Sequence, residues 1–388
     1  MARREPPLVP HLRGFGTTIF AEMSALAVAT GSINLGQGFP DTDGPSEVAD
    51  AAVEAIRAGH NQYPPGPGIP ALRAAIARHQ ARFWGIEVDA DREVLVTAGA
   101  TEALAAALLA LCDDGDEVVA VEPVYDSYRA AVAMAGATLR VVTLEAPDWT
   151  LDLDGLAAAV TPATRVLLLN SPHNPTGKVF SEAELSAIAS VCVERDLVAI
   201  ADEVYEHITF DDHVHRPLST FPGMAERTLS ISSAGKTFSF TGWKVGWATG
   251  PAPLVDATRT TKQFLTFVSS GPFQHAVAVG LDLPDSYFTG LASGLAAKRD
   301  LLADGLEKAG FAVHRPDGTY FITADARSIG WDDGEALCRA MPERCGVVAV
   351  PAAAFYVHPE RGRHLVRFAF CKRDEVLDEA VSRLARLP

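Results

Sequence analysis

Apolar residues change their spacing repeatedly along this 388-residue chain, and each change marks an element. FAEMSALAVA, SEVADAAVEAIRAG and ALRAAIARHQARFWG repeat apolar positions every three to four residues, which predicts helices over 20–29, 46–59 and 71–85. From EVLVTAG (93–99) onward, short unbroken apolar runs alternate with helical stretches. TEALAAALLALC, YDSYRAAVAMAG and SEAELSAIASVCVERD read as helices, the last opened by a capping box at Ser181 and Glu184. DEVVAVEP, TRVLLLN, LVAIAD, RTLSISS and KVGWATG read as strands. Strands without a polar face are buried on both sides, so the expected fold is α/β: a mostly parallel sheet flanked by helices. A helical stretch over 252–283 runs up to a break at Pro284-Asp285. Beyond it, KRDLLADGLEKAG, TYFITADAR, GVVAVP, HLVRFAFCK and a terminal helix predict a smaller α+β domain. The expected division is 1–45 as an N-terminal arm and part of the small domain, 46–283 as the large domain, and 284–388 as the small one.

Composition narrows the picture. The formal net charge of −16 argues against nucleic acid as a partner. Cys112, Cys192, Cys338, Cys345 and Cys371 form no Cys-x-x-Cys pair and have no histidine at zinc-finger spacing, so a reducing cytoplasm is the expected compartment. MARREPPLVPHLRGFG carries positive charge without a following signal-length apolar core, and EALAAALLALC is too short to span a bilayer. No membrane partner is expected.

The stretch SSAGKTFSFTGWKVGW contains Gly235-Lys236-Thr237, the end of a phosphate-binding loop. Such a loop needs a glycine five positions before Gly235, and Ser230 stands there, with no helical pattern starting at the lysine. Lys236 therefore calls for another explanation. In open α/β sheets, working side chains gather at the carboxyl ends of strands. Those ends carry Gly99-Ala100-Thr101, Tyr125, Asn174, Asp202 with Tyr205, and Ser233 with Lys236. A phosphate cradle, a flat aromatic ring, an amide, a carboxylate, a phenol and an amine are the groups needed to hold pyridoxal 5′-phosphate.

Taken with NLGQGFPD, NQYPPGPG, TAGATEAL, EPVYDSY, NSPHNPTG, DEVYEH and LVRFAFCKRDE, the sequence resembles the class I/II aminotransferases of the aspartate aminotransferase fold, fold type I. Within them it is similar to the kynurenine/glutamine transaminase branch and to actinobacterial succinyldiaminopimelate aminotransferases. The resemblance spans nearly the whole chain. It implies a PLP-transferase fold and an enzyme that passes an amino group from an L-amino acid to a 2-oxo acid, 2-oxoglutarate foremost.

It also implies roles. Lys236 would bond the cofactor aldehyde and carry the proton of catalysis. Asp202 would pair with the ring nitrogen, though a carboxylate there also suits a helix N-cap or a salt bridge. Tyr205 and Asn174 would donate to the ring's phenolic oxygen, and Asn174 also suits turn chemistry. Tyr125 would stack on the ring, or pack as core. Gly99, Ala100, Thr101, Ser233 and Lys244 would hold the phosphate. Aspartate aminotransferases usually have arginine at the last position, whereas the kynurenine branch often has lysine. Tyr63 would reach the phosphate of a second subunit in a homodimer, or simply pack locally. Arg367 would hold the substrate carboxylate beside Gly38 and Asn174, unless it forms a buried ion pair, and Phe20 would line the substrate pocket. His173, His213 and His215 offer no ligand set, and no metal is expected.

The leading donor is N-succinyl-LL-2,6-diaminoheptanedioate. Kynurenine, glutamine, methionine and aromatic amino acids compete with it, as does cysteine-conjugate β-lyase activity. A regulator that uses such a domain as a sensor would carry a DNA-binding domain ahead of it, and none is expected here.

Overall fold

The apolar runs cannot face water on either side, and in the computed structural model they stack edge to edge between helices. The structure describes residues 8–387, so the first seven residues of the expected arm lie outside it. Among the described residues the strands in chain order begin with β1 (Ile33–Asn34), β2 (Val94–Thr97), β3 (Glu117–Glu122) and β4 (Thr138–Thr143). Then come β5 (Thr164–Asn170), β6 (Val198–Asp202), β7 (Thr228–Ser233), β8 (Gly246–Thr249) and β9 (Ala312–His314). The last are β10 (Phe321–Asp325), β11 (Val347–Val348), β12 (Val350–Pro351) and β13 (Leu365–Ala369).

The large sheet has seven strands in the order β2-β8-β7-β6-β5-β3-β4. β8 alone runs antiparallel to its neighbours; the other pairings in this sheet are parallel. Because β7 and β8 form a hairpin, the connection between them leaves and re-enters the sheet at one edge. The parallel strands β5, β6 and β7 deliver Asn170, Asp202 and Ser233 to that edge, with Asn170 paired to Asp202 in register. A smaller antiparallel sheet, β12-β13-β10-β9, packs nearby, and β1 of the N-terminal segment pairs with β11.

The capping box forms as expected: Ser181 Oγ accepts from the Glu184 amide at 3.2 Å, and Glu184 accepts from the Ser181 amide at 2.9 Å. Such a cap contributes about 1 kcal/mol.

Three expectations need correction. The stretch 252–283 is two helices, Ala252–Leu265 and Gly271–Leu281, parted where Phe267 takes a positive φ of 66°. The break at Pro284 is present, just past Leu281, but it also opens an unforeseen 24-residue helix, Asp285–Lys308, which Pro284 caps because proline is well accommodated at a helix start. One helical turn, Ala234–Thr237, does follow β7 and carries Lys236. Edge strand β4 was not signalled, since TLRVVT breaks its apolar run with Arg140. No helix among the described residues is long and apolar enough to cross a membrane.

Candidate active site

Where β5, β6 and β7 end, a cavity of about 470 Å³ opens. Every expected site residue except Tyr63 lines it, including Gly38 and Phe20 from the N-terminal segment and Arg367 from β13. Its charged lining is Lys236, Lys244 and Arg367 against Asp126 and Asp202. The cavity is therefore cationic within a strongly acidic chain, and among the described residues none of the three cations has an acidic partner within 4.0 Å. Three unpaired cations lining one cavity, with Arg367 buried, call for an anionic ligand.

At one end, the helix Ala100–Leu111 begins directly after Gly99, whose φ of 78° favours glycine. A Cβ on Gly99 would meet Lys244 Nζ at 3.2 Å, and one on Gly246 would meet the Gly99 carbonyl carbon at 2.6 Å. Free backbone amides, the helix dipole and an ammonium converge there, with Ser233 beside them. These groups suit a phosphate dianion.

Asp202 is buried at the end of β6 and has no cationic partner within ion-pair range among the described residues. Burial raises its pKa, opposed by Tyr128, whose hydroxyl donates to Oδ2 at 2.5 Å. A protonated pyridine nitrogen would supply the missing countercharge. Tyr205 is buried, which pushes its phenol pKa upward and keeps it a hydrogen-bond donor. Lys236 is half-buried, and desolvation lowers its pKa to about 8 against the pull of Cys371 and Asp202. A part of its population is thus the neutral, nucleophilic amine near neutral pH. The amine donates to the Tyr320 hydroxyl at 2.8 Å.

Arg367 is buried with its planar group 3.9 Å from the Phe321 ring centroid, 4.6 Å from that of Phe355 and 5.2 Å from that of Phe20. Nη1 donates to Asn174 Oδ1 at 3.0 Å and Nη2 to the Gly36 carbonyl at 3.1 Å, while buried Nε has no partner. The buried ion pair left open by the sequence is absent among the described residues. A guanidinium with an idle donor fits a carboxylate from outside the chain. Gly38 is small for a reason: a Cβ there would meet the Phe321 ring at 2.5 Å.

Tyr63 stays out of the cavity. It is 81% exposed, edge-on to Phe267 at 5.6 Å, on a patch that also exposes Phe264 and Leu265. Tyr128, Asn170 and Tyr320 were missed by sequence reasoning. Tyr128 carried a usable signal: it sits one helical turn from Tyr125, and a buried phenol needs a partner.

Of the histidines, His173 is buried against Thr176 Oγ1 at 2.7 Å, and burial lowers its pKa to about 3. His79, His207 and Glu206 form the closest approach to a metal-ligand group among the described residues. The two Nε2 atoms are 2.7 Å apart. Nitrogens sharing one zinc ion at roughly 2.0–2.1 Å each stand more than about 3 Å apart, so this contact is a hydrogen bond between neutral rings. Glu206 is engaged elsewhere, by Ser232 at 2.5 Å and Trp84 at 2.7 Å.

Residues 30–384 match the sequence profile described as aminotransferase class I and II. The chain is 54% identical to a probable N-succinyldiaminopimelate aminotransferase of Mycobacterium tuberculosis, over 98% of each chain. It is 39% identical to a methionine aminotransferase of Escherichia coli, over 98% of this chain and 99% of the other. A solved structure of N-succinyldiaminopimelate aminotransferase from M. tuberculosis superposes with a TM-score of 0.96 at 55% identity, covering 98% of this chain and 100% of that one.

Proposed function

The chain belongs to the class I and II aminotransferases, enzymes that work with pyridoxal 5′-phosphate, and on that premise we propose that its leading amino donor is N-succinyl-LL-2,6-diaminoheptanedioate, with 2-oxoglutarate as acceptor. The reading is carried by one observation: a cationic cavity that encloses a lysine of lowered proton affinity.

When bound, the cofactor supplies an electron sink for negative charge developing at substrate Cα. The chain's residues do the rest. Gly99, Ala100 and Thr101 amides, Ser233 and Lys244 would hold the phosphate. Asp202, braced by Tyr128, would keep the ring nitrogen protonated, Tyr205 and Asn174 would donate to the phenolic oxygen, and Tyr125 would cover the ring face. Arg367 would grip the α-carboxylate, so that Cα–H faces the Lys236 amine. That amine would take the proton from Cα and return it two bonds away, on the cofactor side of the substrate nitrogen.

The test is spectroscopic. The holoenzyme is given single donors, and the visible cofactor band is followed before and after 2-oxoglutarate is added. The succinylated donor is expected to bleach the band with the highest kcat/KM, and the oxo acid to restore it. Kynurenine, glutamine or methionine outrunning it would replace the donor assignment. Pyruvate and ammonia from a cysteine conjugate, without acceptor, would identify a β-lyase.

The proposed assembly is a homodimer in which Tyr63 serves the neighbouring site; the exposed Tyr63, Phe264, Leu265 and Phe267 support it as an apolar patch with nothing over it in the single chain. Mixed dimers test this. Pairing a Lys236→Ala chain with a Tyr63→Phe chain should restore activity, because one site then carries neither defect. If Tyr63 served its own site, both sites would stay defective. The proposed setting is the cytoplasm, in keeping with five free cysteines, and the proposed units are 46–283 and 284–388, with the N-terminal segment joining the second through β1 and β11.

A further inference from the structure

Tyr320 has no place in the roles above, yet it is the closest hydrogen-bond partner of the reactive amine. Lys236 Nζ donates to its hydroxyl at 2.8 Å, and that hydroxyl donates onward to the Gly38 carbonyl at 2.7 Å. A phenol has one proton to give. With that proton committed to a backbone carbonyl, which cannot donate, the oxygen lone pairs are left for Lys236, and the direction of the chain is set. Burial holds the phenol pKa well above its usual value, so it stays protonated. The ring cannot swing away: it is edge-on to Tyr205 at 5.3 Å and to Phe321 at 4.9 Å. A second cavity of about 210 Å³, which includes Tyr320, Cys371, Gly290 and Gly294 in its lining, shares only Lys236 with the first. The amine therefore borders both cavities and is held from the side of the second.

We propose that Tyr320 is a positioning residue for Lys236, docking the amine whenever it is not bonded to the cofactor and keeping it aimed at substrate Cα. This rests on the reading that Lys236 is the cofactor-bonding amine. Each catalytic cycle frees that amine on a four-carbon stem with many rotamers, and one fixed acceptor selects among them. The same contact favours the ammonium form, because the hydrogen bond is stronger to the charged donor. It opposes burial, which favours the neutral form, and so keeps the amine able both to take and to return a proton.

The test is Tyr320→Phe, which keeps the ring and removes the acceptor. In the cofactor-free chain, cyanate labelling of Lys236 is followed by mass spectrometry across pH, since only neutral amine reacts. Losing an acceptor of the ammonium lowers the pKa, so the labelling midpoint is expected to fall by about one pH unit. In the holoenzyme, single-turnover donor conversion is expected to slow about 10-fold, with donor KM changing less than about 2-fold. A labelling profile and turnover rate that both match the parent overturn the proposal. If the variant loses its melting transition, 3-fluorotyrosine at position 320 keeps the shape and weakens the acceptor. A downward shift of smaller size is then expected, and no shift overturns the proposal. A Lys236→Ala chain that still captures the cofactor covalently would instead sink the underlying assignment of Lys236.

Discussion

Replacing Lys236 with alanine lowers transamination by at least about 10⁴-fold and leaves the fold intact. The loss is large because the amine has two duties, covalent attachment and proton transfer at Cα, and no neighbour can assume the second. Its hydrogen-bond partners are Tyr320, whose proton is engaged with Gly38, and the Gly38 carbonyl, which has no proton to exchange. The fold survives because the half-buried amine has no ion-pair partner among the described residues and pays a desolvation cost in place. Alanine removes a liability there, so the cofactor-free variant should melt no lower than the parent. The check is paired: single-turnover kinetics with the best donor, and thermal unfolding of the cofactor-free chains. A variant that keeps full activity refutes the assignment of Lys236.

Arg367→Ala is expected to lower kcat/KM for α-amino acids by about 10²–10³-fold, in line with the roughly 2–5 kcal/mol lost when one partner of a buried, hydrogen-bonded charge pair is truncated. The free enzyme should not suffer in proportion, since its Arg367 is a buried cation with an idle Nε and no carboxylate. Arg367→Lys should recover only part of the loss. A lysine restores charge but neither the two-pronged match to a carboxylate nor the reach to Asn174 and Gly36 at once. The decisive measurement compares a donor with its decarboxylated amine. The parent should prefer the acid strongly, and the alanine variant should lose that preference. An unchanged preference would mean that another group reads the carboxylate.

Much of this arrangement is legible in the sequence because its signals are local. TRVLLLN and LVAIAD are strands for reasons contained in their own residues, and Asp202 ends the second where the reading expects chemistry. What escapes depends on partners far away in the chain. Gly290 and Gly294 obscure the helix Asp285–Lys308, which stands because its buried face, including Leu295, Leu302 and Leu306, is covered by other elements. Tyr128 and Tyr320 look like core aromatics until the fold brings one hydroxyl to Asp202 and the other to Lys236. Tyr63 is plain in NQYPPGPG, but a single chain gives it no cavity to fill.

The reversed strand β8 has a consequence for how the site comes together. Its hairpin with β7 sets Lys236 and Lys244 eight residues apart at one edge, whereas Arg367 lies 131 residues beyond Lys236. Closure entropy grows with the logarithm of the intervening length, so juxtaposing the lysine pair costs about 2–3 kcal/mol less than bringing Arg367 to Lys236. A partly folded chain that kept only the large sheet would already present both cofactor-side cations while lacking the one that reads the substrate.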